Sequence, residues 1–196
     1  MTPSFPLNFL VICPGVHPPE LTQSLLAEME AAFPALSPQA LNLQVLVSPH
    51  HHLWAFSPFL TLQFLQQQIK QPRQANLVFL AFSAGAVAAM GAAQAWHYHR
   101  GGTVRAVIAV DGWGVPLAAD FPVYRLSHDY FTHWSSALLG TGSSSFYADP
   151  PVSHYQLWRS PTQATGWQIE QNWRSGQKRP STAAAFLAGL LQLHST

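Results

Sequence analysis

The sequence predicts an α/β fold, a three-layer sandwich in which helices cover both faces of a mostly parallel sheet of about six strands. Short apolar runs, typical of strands buried on both faces, alternate with segments whose apolar residues recur every three or four positions. The chain has 196 residues, no internal repeat and nothing that resembles a linker. We therefore expect a single domain over residues 1–196.

Six segments are predicted as strands because they are rich in apolar and β-branched residues and are bounded by turn residues. They are residues 9–13, 43–47, 76–82, 104–110, 123–127 and 155–159. Residues 166–173 are ambiguous between helix and strand. The connection over residues 128–153 is long, and connections of that length are usually functional or mobile.

Helices are predicted between the strands from start and stop residues and from apolar stripes. The first opens at Pro18-Pro19 and is stopped by Pro34, and the second opens at Ser57-Pro58. Residues 84–99 form the third, residues 131–139 a short fourth, and Ser181 caps the last. The first, second and last helices carry their apolar residues on one face, as expected of a helix that covers a sheet.

The composition excludes several classes of protein. Only 9% of the residues are charged, against about 25% in an ordinary soluble domain, while 48% are hydrophobic. A disordered chain would show the opposite balance, and a net charge of +1 argues against nucleic-acid binding. A single cysteine, Cys13, excludes a disulfide framework and a cysteine-based zinc site.

No segment has the features of a signal peptide, and no apolar run reaches the roughly 18 residues of a membrane-spanning helix. We therefore expect a cytoplasmic protein. The low charge and the many Trp and Phe residues leave a peripheral membrane contact or a protein partner open.

The most informative motif is Ala81-Phe82-Ser83-Ala84-Gly85, which joins the third predicted strand to the third predicted helix. It resembles the nucleophile elbow of the α/β-hydrolases, in which a serine sits on a sharp strand-to-helix turn with small residues two positions before and after it. The alternative is that Ser83 only caps the helix. The resemblance covers most of the chain and implies a trimmed domain that begins at the family's third strand.

The resemblance also implies where the oxyanion of an attacked carbonyl would be held. One donor would be the backbone N–H of Ala84, directly after the nucleophile. The other would be the backbone N–H of Val16 or His17, in the turn after the first strand. The alternative for this turn is an ordinary Pro-Gly connection.

In the family the acid and then the histidine follow the serine. Asp111, at the end of the fourth predicted strand, and Asp129, after the fifth, are the candidate acids; the alternatives are a turn residue and a helix cap. The family's histidine follows the last strand, and no histidine lies between residues 159 and 181. His128 is therefore the predicted base, with His133 and the run His50-His51-His52 as further candidates.

Aromatic residues gather in the connections after the strands, among them Trp54 and Trp113. Ligands of open parallel sheets bind at that edge, so these residues are predicted to contact an apolar ligand, unless they form a small core beneath the loops. No HExxH motif or cysteine pair is present, and we expect neither a metal nor another cofactor.

Two functions follow from these observations. The first is a serine hydrolase that cleaves an ester with a hydrophobic part, in the manner of an esterase, thioesterase or lipase. The second is a catalytically inactive relative that binds an apolar ligand or a protein. A metal-dependent enzyme is a third alternative, which rests on the histidines.

Overall fold

A computed structural model describes residues 7–50, 52–112, 114–140, 142–172 and 175–195. Its eight strands form one sheet in the order β2-β1-β3-β4-β5-β6-β7-β8. The strands are β1 (Leu7–Cys13), β2 (Leu43–Val47), β3 (Ala75–Phe82), β4 (Thr103–Val110), β5 (Val123–Ser127), β6 (Ser144–Ala148), β7 (Thr165–Asn172) and β8 (Ser175–Thr182). Strands β1 to β6 pair in parallel, and β7 and β8 are antiparallel.

Helices lie on both faces of the sheet, which confirms the predicted three-layer α/β architecture. They are α1 (Pro19–Ala32), α2 (Pro58–Gln68), α3 (Gly85–His99), α4 (Tyr130–Ala137), α5 (His154–Arg159) and α6 (Ala183–His194). On one face Leu65 of α2 and Trp96 of α3 are fully buried against the sheet. On the other, Leu25 of α1, Trp158 of α5 and Leu187 of α6 form a second core.

The strand predicted at residues 155–159 is wrong, because these residues belong to the helix α5. The hydroxyl of Ser153 accepts a hydrogen bond from the backbone N–H of Gln156 at 3.2 Å and so caps the helix. Leu157 and Trp158 are buried against the sheet. A five-residue apolar pattern is compatible with a short helix as well as with a strand. Here the cap at Ser153 favours the helix.

The sixth strand is instead β6, inside the connection that the sequence left unassigned. Its first residues are serines, which gave no apolar pattern. Ser145 is nevertheless fully buried, and its hydroxyl lies 2.9 Å from Nε2 of His133 in α4. The ambiguous segment, residues 166–173, falls largely in β7, so the sheet has eight strands and not six.

The parallel register places the carboxyl ends of β1, β3, β4, β5 and β6 along one edge of the sheet. Between β4 and β5 the described residues form no helix. The loops after β4 and β5 therefore lie side by side at this edge, next to the turn between β3 and α3. Among the helices of the described segments, none has the length and apolar character needed to cross a lipid bilayer.

Candidate active site

Ser83 lies in the turn between β3 and α3 with a backbone φ of +51°. Few residues other than glycine adopt this left-handed conformation, and such strain concentrates at functional sites. The backbone N–H of Ser83 donates to the carbonyl of Val110 at 2.9 Å, and its carbonyl accepts from Ala86 at 3.0 Å. These bonds hold the strained turn in place between β4 and the first turn of α3.

Two glycines allow the turn after β1 to press against this corner. A Cβ atom on Gly85 would lie 2.2 Å from the carbonyl oxygen of Cys13, and one on Gly15 would lie 2.4 Å from that of Phe82. Neither approach leaves room for a side chain. Gly85 of the motif at Ser83 is therefore explained by close contact between two backbone segments.

A cleft of about 470 Å³ opens at this edge of the sheet. Nine residues line it: Ser83, Ala84, Val87, Asp111, Val115, His128, Phe131, Thr132 and His154. Four of the residues that the sequence singled out thus meet here, namely Ser83, Ala84, Asp111 and His128. Val16 is 45% exposed but is not among the lining residues.

Asp111 follows β4 and is the most buried charged group of the cleft, with only 5% of its surface exposed. Its Oδ2 atom accepts hydrogen bonds from Nδ1 of His128 at 2.9 Å and from Nδ1 of His154 at 2.8 Å. Its Oδ1 atom accepts the backbone N–H of His128 at 2.9 Å. One carboxylate therefore orients two imidazole rings at once.

Opposing effects act on the pKa of Asp111. Burial raises this pKa, but the interactions with His128 and His154, chiefly hydrogen bonds, lower it by more than burial raises it. The net pKa therefore lies below the usual value, and the group is an anion at neutral pH. The hydrogen bond to Asp111 raises the pKa of His128. Burial lowers this pKa, and the negative charges of Asp111 and Asp129 raise it, so that the net pKa is raised.

The two histidines differ in what their second ring nitrogen faces. Nε2 of His128 lies 3.5 Å from Oδ2 of Asp129. No residue in the described part of the chain bonds Nε2 of His154, whose ring stacks on Phe82 at a centroid distance of 4.5 Å. Because Phe82 directly precedes Ser83, this stacking places the His154 ring beside the serine turn.

Sequence reasoning missed His154, because this residue directly precedes the segment over residues 155–159 that was predicted as a strand. In the structure His154 is the first residue of α5, after the loop that follows β6. A signal was present: Ser153 and Gln156 have the spacing of a capping box, which marks a helix start.

The other predicted residues lie outside the cleft. Oδ1 of Asp129 caps α4 by accepting the N–H of Thr132 at 2.6 Å. Nε2 of His133 contacts Ser145, and burial, followed by the charges of Arg125 and Lys178, lowers the pKa of His133 to about 4. Nε2 of His50 lies 3.1 Å from the carbonyl of Leu60.

Trp54 is 65% exposed in the short helical turn that contains His52, and it does not line the cleft. His51 and Trp113 lie outside the described residues.

Within the described segments, Ser83 Oγ forms no hydrogen bond with either imidazole. Catalytic hydrogen bonds are often long without substrate and shorten when it binds. The arrangement can supply a nucleophile, a base and a buried acid, or it can present two imidazoles and a carboxylate to a metal ion, since one ligand atom from each lies within 4.8 Å of the others.

Comparison with protein-family models gives no match for this chain, and no curated protein matches it in sequence. The resemblance to α/β-hydrolases therefore rests on the residues of the chain alone.

Proposed function

We propose that the protein is a serine hydrolase that cleaves an ester with a hydrophobic part. One observation carries this proposal: the strained Ser83 shares a single cleft with the hydrogen-bonded pair of Asp111 and His154. A serine held in a left-handed turn projects from the backbone, and a histidine oriented by a buried carboxylate is the base that such a serine needs.

His154 is the better base of the two histidines. Its Nδ1–H is directed at Asp111, and Nε2 is left to accept a proton, whereas Nε2 of His128 faces Asp129. The resemblance expects the histidine after the last strand, whereas His154 follows β6, the last of the strands that pair in parallel. We therefore assign the base to His154, although the sequence had favoured His128.

The reaction would proceed in two acyl-transfer steps. Ser83 Oγ attacks the ester carbonyl carbon while Nε2 of His154 takes the hydroxyl proton, and Asp111 stabilises the imidazolium. The N–H of Ala84 and the turn containing Val16 and His17 would hold the oxyanion. The proton then passes to the leaving alcohol, and water, activated by the same histidine, releases the acid and restores Ser83.

The cleft favours a substrate with an apolar part. Val87, Val115 and Phe131 line it beside the serine, and Phe131 is largely exposed. An acyl chain placed against these side chains would gain about 0.8 kcal/mol for each CH₂ group that it buries. A peripheral membrane contact, a protein partner and a cytoplasmic location stay predictions of the sequence.

A fluorophosphonate probe, which reacts with activated serines, tests the proposal. The wild-type protein should label, and Ser83→Ala should abolish the labelling. His154→Gln should slow it by about 10²–10⁴-fold, the usual contribution of a general base, and His128→Gln by much less. His99→Gln, in an exposed residue at the end of α3, serves as the control.

Complete absence of labelling in the wild-type protein would overturn the hydrolase proposal. Equal labelling of Ser83→Ala would overturn it as well. If His128→Gln had the larger effect, the base would be His128.

In the described structure Ser83 Oγ has no hydrogen bond to His128 or His154. A second candidate function fits this observation as well: an inactive protein that binds an apolar ligand in the same cleft. If this second function is correct, the protein would bind a fluorescent fatty acid but would not react with the fluorophosphonate probe. Phe131→Ser would weaken the fatty-acid binding.

A further inference from the structure

We propose that Asp111, His128 and His154 form a binding site for a divalent transition-metal ion, best suited to Zn²⁺. One ligand atom from each of these residues lies within 4.8 Å of the others. The ligand atoms would be Oδ2 of Asp111 and Nδ1 of each histidine, the atoms that already contact one another. Two imidazole nitrogens and one carboxylate oxygen are ligands typical of zinc, whereas Mg²⁺ prefers oxygen alone.

The distances are close to those of a metal site. Nδ1 of His128 and of His154 lie 2.9 Å and 2.8 Å from Oδ2 of Asp111. Ligands bonded to Zn²⁺ at about 2.0–2.1 Å in tetrahedral geometry are roughly 3.3 Å apart. A small rotation of the histidine rings, which are partly exposed, would therefore admit the ion.

The surroundings of His128 are compatible with a bound cation. Each of its ring nitrogens faces a carboxylate, Asp111 at Nδ1 and Asp129 at Nε2. A neutral imidazole carries only one N–H and cannot donate to both. Either a second proton or a metal ion at Nδ1 satisfies the arrangement.

Asp129 has the position of a supporting residue in such a site. Histidines that bind a metal through one nitrogen usually donate the other N–H to a carboxylate, which fixes the ring. With the metal at Nδ1, His128 would donate its Nε2–H to Asp129, whose other oxygen is held by the backbone of Thr132.

The charge and shape of the cleft also favour a cation. Asp111 brings a negative charge to the cleft, Asp129 lies outside it but beside His128, and no lysine or arginine is found among the cleft-lining residues of the described chain. Three protein ligands at the wall of an open cleft leave the fourth position of a tetrahedral ion to water or to a ligand.

Metal binding would inhibit the reaction, a consequence that rests on the proposed function. The ion takes Nδ1 of His154, the atom that donates to Asp111 when His154 acts as base. It also withdraws the negative charge of Asp111 from the imidazolium. The metal-free protein would be the active hydrolase, and the Zn²⁺ form would be inactive.

Titration of the chelator-treated full-length protein tests the site without any need for activity. We expect calorimetry to show one Zn²⁺ per chain, Co²⁺ to give visible absorption bands, and Mg²⁺ not to bind. His128→Gln and His154→Gln should each weaken Zn²⁺ binding by about 100-fold or more, and Asp129→Asn by about tenfold. Ser83→Ala, in the same cleft, and His99→Gln, on the surface, should bind as the wild type does.

Absence of Zn²⁺ binding would overturn the metal site, and so would binding that neither histidine substitution weakens. Circular dichroism of each variant separates loss of the site from loss of the fold.

Probe labelling with and without Zn²⁺ tests the inhibition. Labelling of the wild type should fall at saturating Zn²⁺ and return with EDTA. If Zn²⁺ binds but labelling persists, the inhibition is wrong. If Zn²⁺ binds and the metal-free protein does not label at all, the proposed hydrolase is wrong and the metal site stands. If the protein labels but binds no Zn²⁺, the metal site is wrong and the proposed hydrolase stands.

Discussion

Ser83 and Asp111 share an uncommon backbone conformation at the ends of neighbouring strands, with φ values of +51° and +50°. In each case a backbone hydrogen bond to a neighbouring strand holds the residue in this strained conformation. Ser83 bonds Val110 through its N–H, and the N–H of Asp111 donates to the carbonyl of Leu126 at 2.8 Å. Two strained residues facing one cleft are what a preorganised site would show.

The close packing at Gly85 leads to a prediction about single residues. In Gly85→Ala the new methyl group would lie 2.2 Å from the carbonyl oxygen of Cys13, so the turn must move. We expect a loss of roughly 3 kcal/mol in the free energy of unfolding, seen as a melting temperature lower by about 6–12 °C.

Gly189→Ala is the matched control. Gly189 lies in α6, and nothing lies within 4 Å of the position of its Cβ. Alanine there should raise stability by about 0.5–1 kcal/mol, because glycine is a poor helix former. Equal melting temperatures for the two variants would contradict the close contact at Gly85.

At the scale of elements, the short helix α5 matters most, because its first residue is His154. The helix has six residues and depends on its cap, Ser153, and on two buried side chains, Leu157 and Trp158. The position of the proposed base is therefore controlled by a hydroxyl group at the helix terminus.

Ser153→Ala should accordingly affect the site more than stability. We expect the free energy of unfolding to fall by about 1 kcal/mol and the rate of probe labelling to fall by about tenfold or more, because small displacements of a catalytic group are costly. Thr182→Ala removes the equivalent cap of α6, whose hydroxyl accepts the N–H of Ala185 at 3.1 Å. It should lower stability by a similar amount and leave labelling within about twofold. Similar labelling rates for the two variants would contradict the role of α5.

At the scale of the whole molecule, the chain has ten histidines and only eight acidic residues, so histidines are prominent among the groups that can couple folding to pH. His133 is one of them, since it joins α4 to the buried Ser145 of β6. Its pKa is lowered from 6.5 to about 4, chiefly by burial and then by the charges of Arg125 and Lys178. The folded protein thus holds His133 neutral under conditions in which the unfolded chain would protonate it.

We therefore predict that stability falls as the pH decreases from about 6.5 to about 4, since over this range the unfolded state binds a proton that the folded state does not. The fall due to His133 should reach at least about 1 kcal/mol after allowance for its partial exposure. Urea midpoints between pH 7.5 and 4.5 measure it.

His133→Gln should flatten this dependence, and His99→Gln should leave it unchanged. Burial, and then Arg105, also lowers the pKa of His194, which adds a fall of the same sign. The raised pKa of His128 acts in the opposite direction. The comparison is therefore the difference between variant and wild type. An equal slope in wild type and His133→Gln would contradict the prediction.

The sequence by itself determined the α/β class, five of the parallel strands and the strand-to-helix turn at Ser83, because these depend on local apolar patterns and on turn residues. It also placed Asp111 and His128 at one edge of the sheet, since the carboxyl ends of parallel strands meet there.

Only the tertiary structure decided the rest. Strand β6 begins with serines, so its apolar pattern is short, and its place in the sheet depends on contacts of Ser145 with α4 and of Phe146 with Phe186 of α6. Asp129 turned out to cap a helix, although the sequence also allowed it as an acid. The pairing of Asp111 with His154 joins residues 43 positions apart. No local pattern encodes such a contact, because it arises only when β4 and the loop after β6 reach the same edge of the folded sheet.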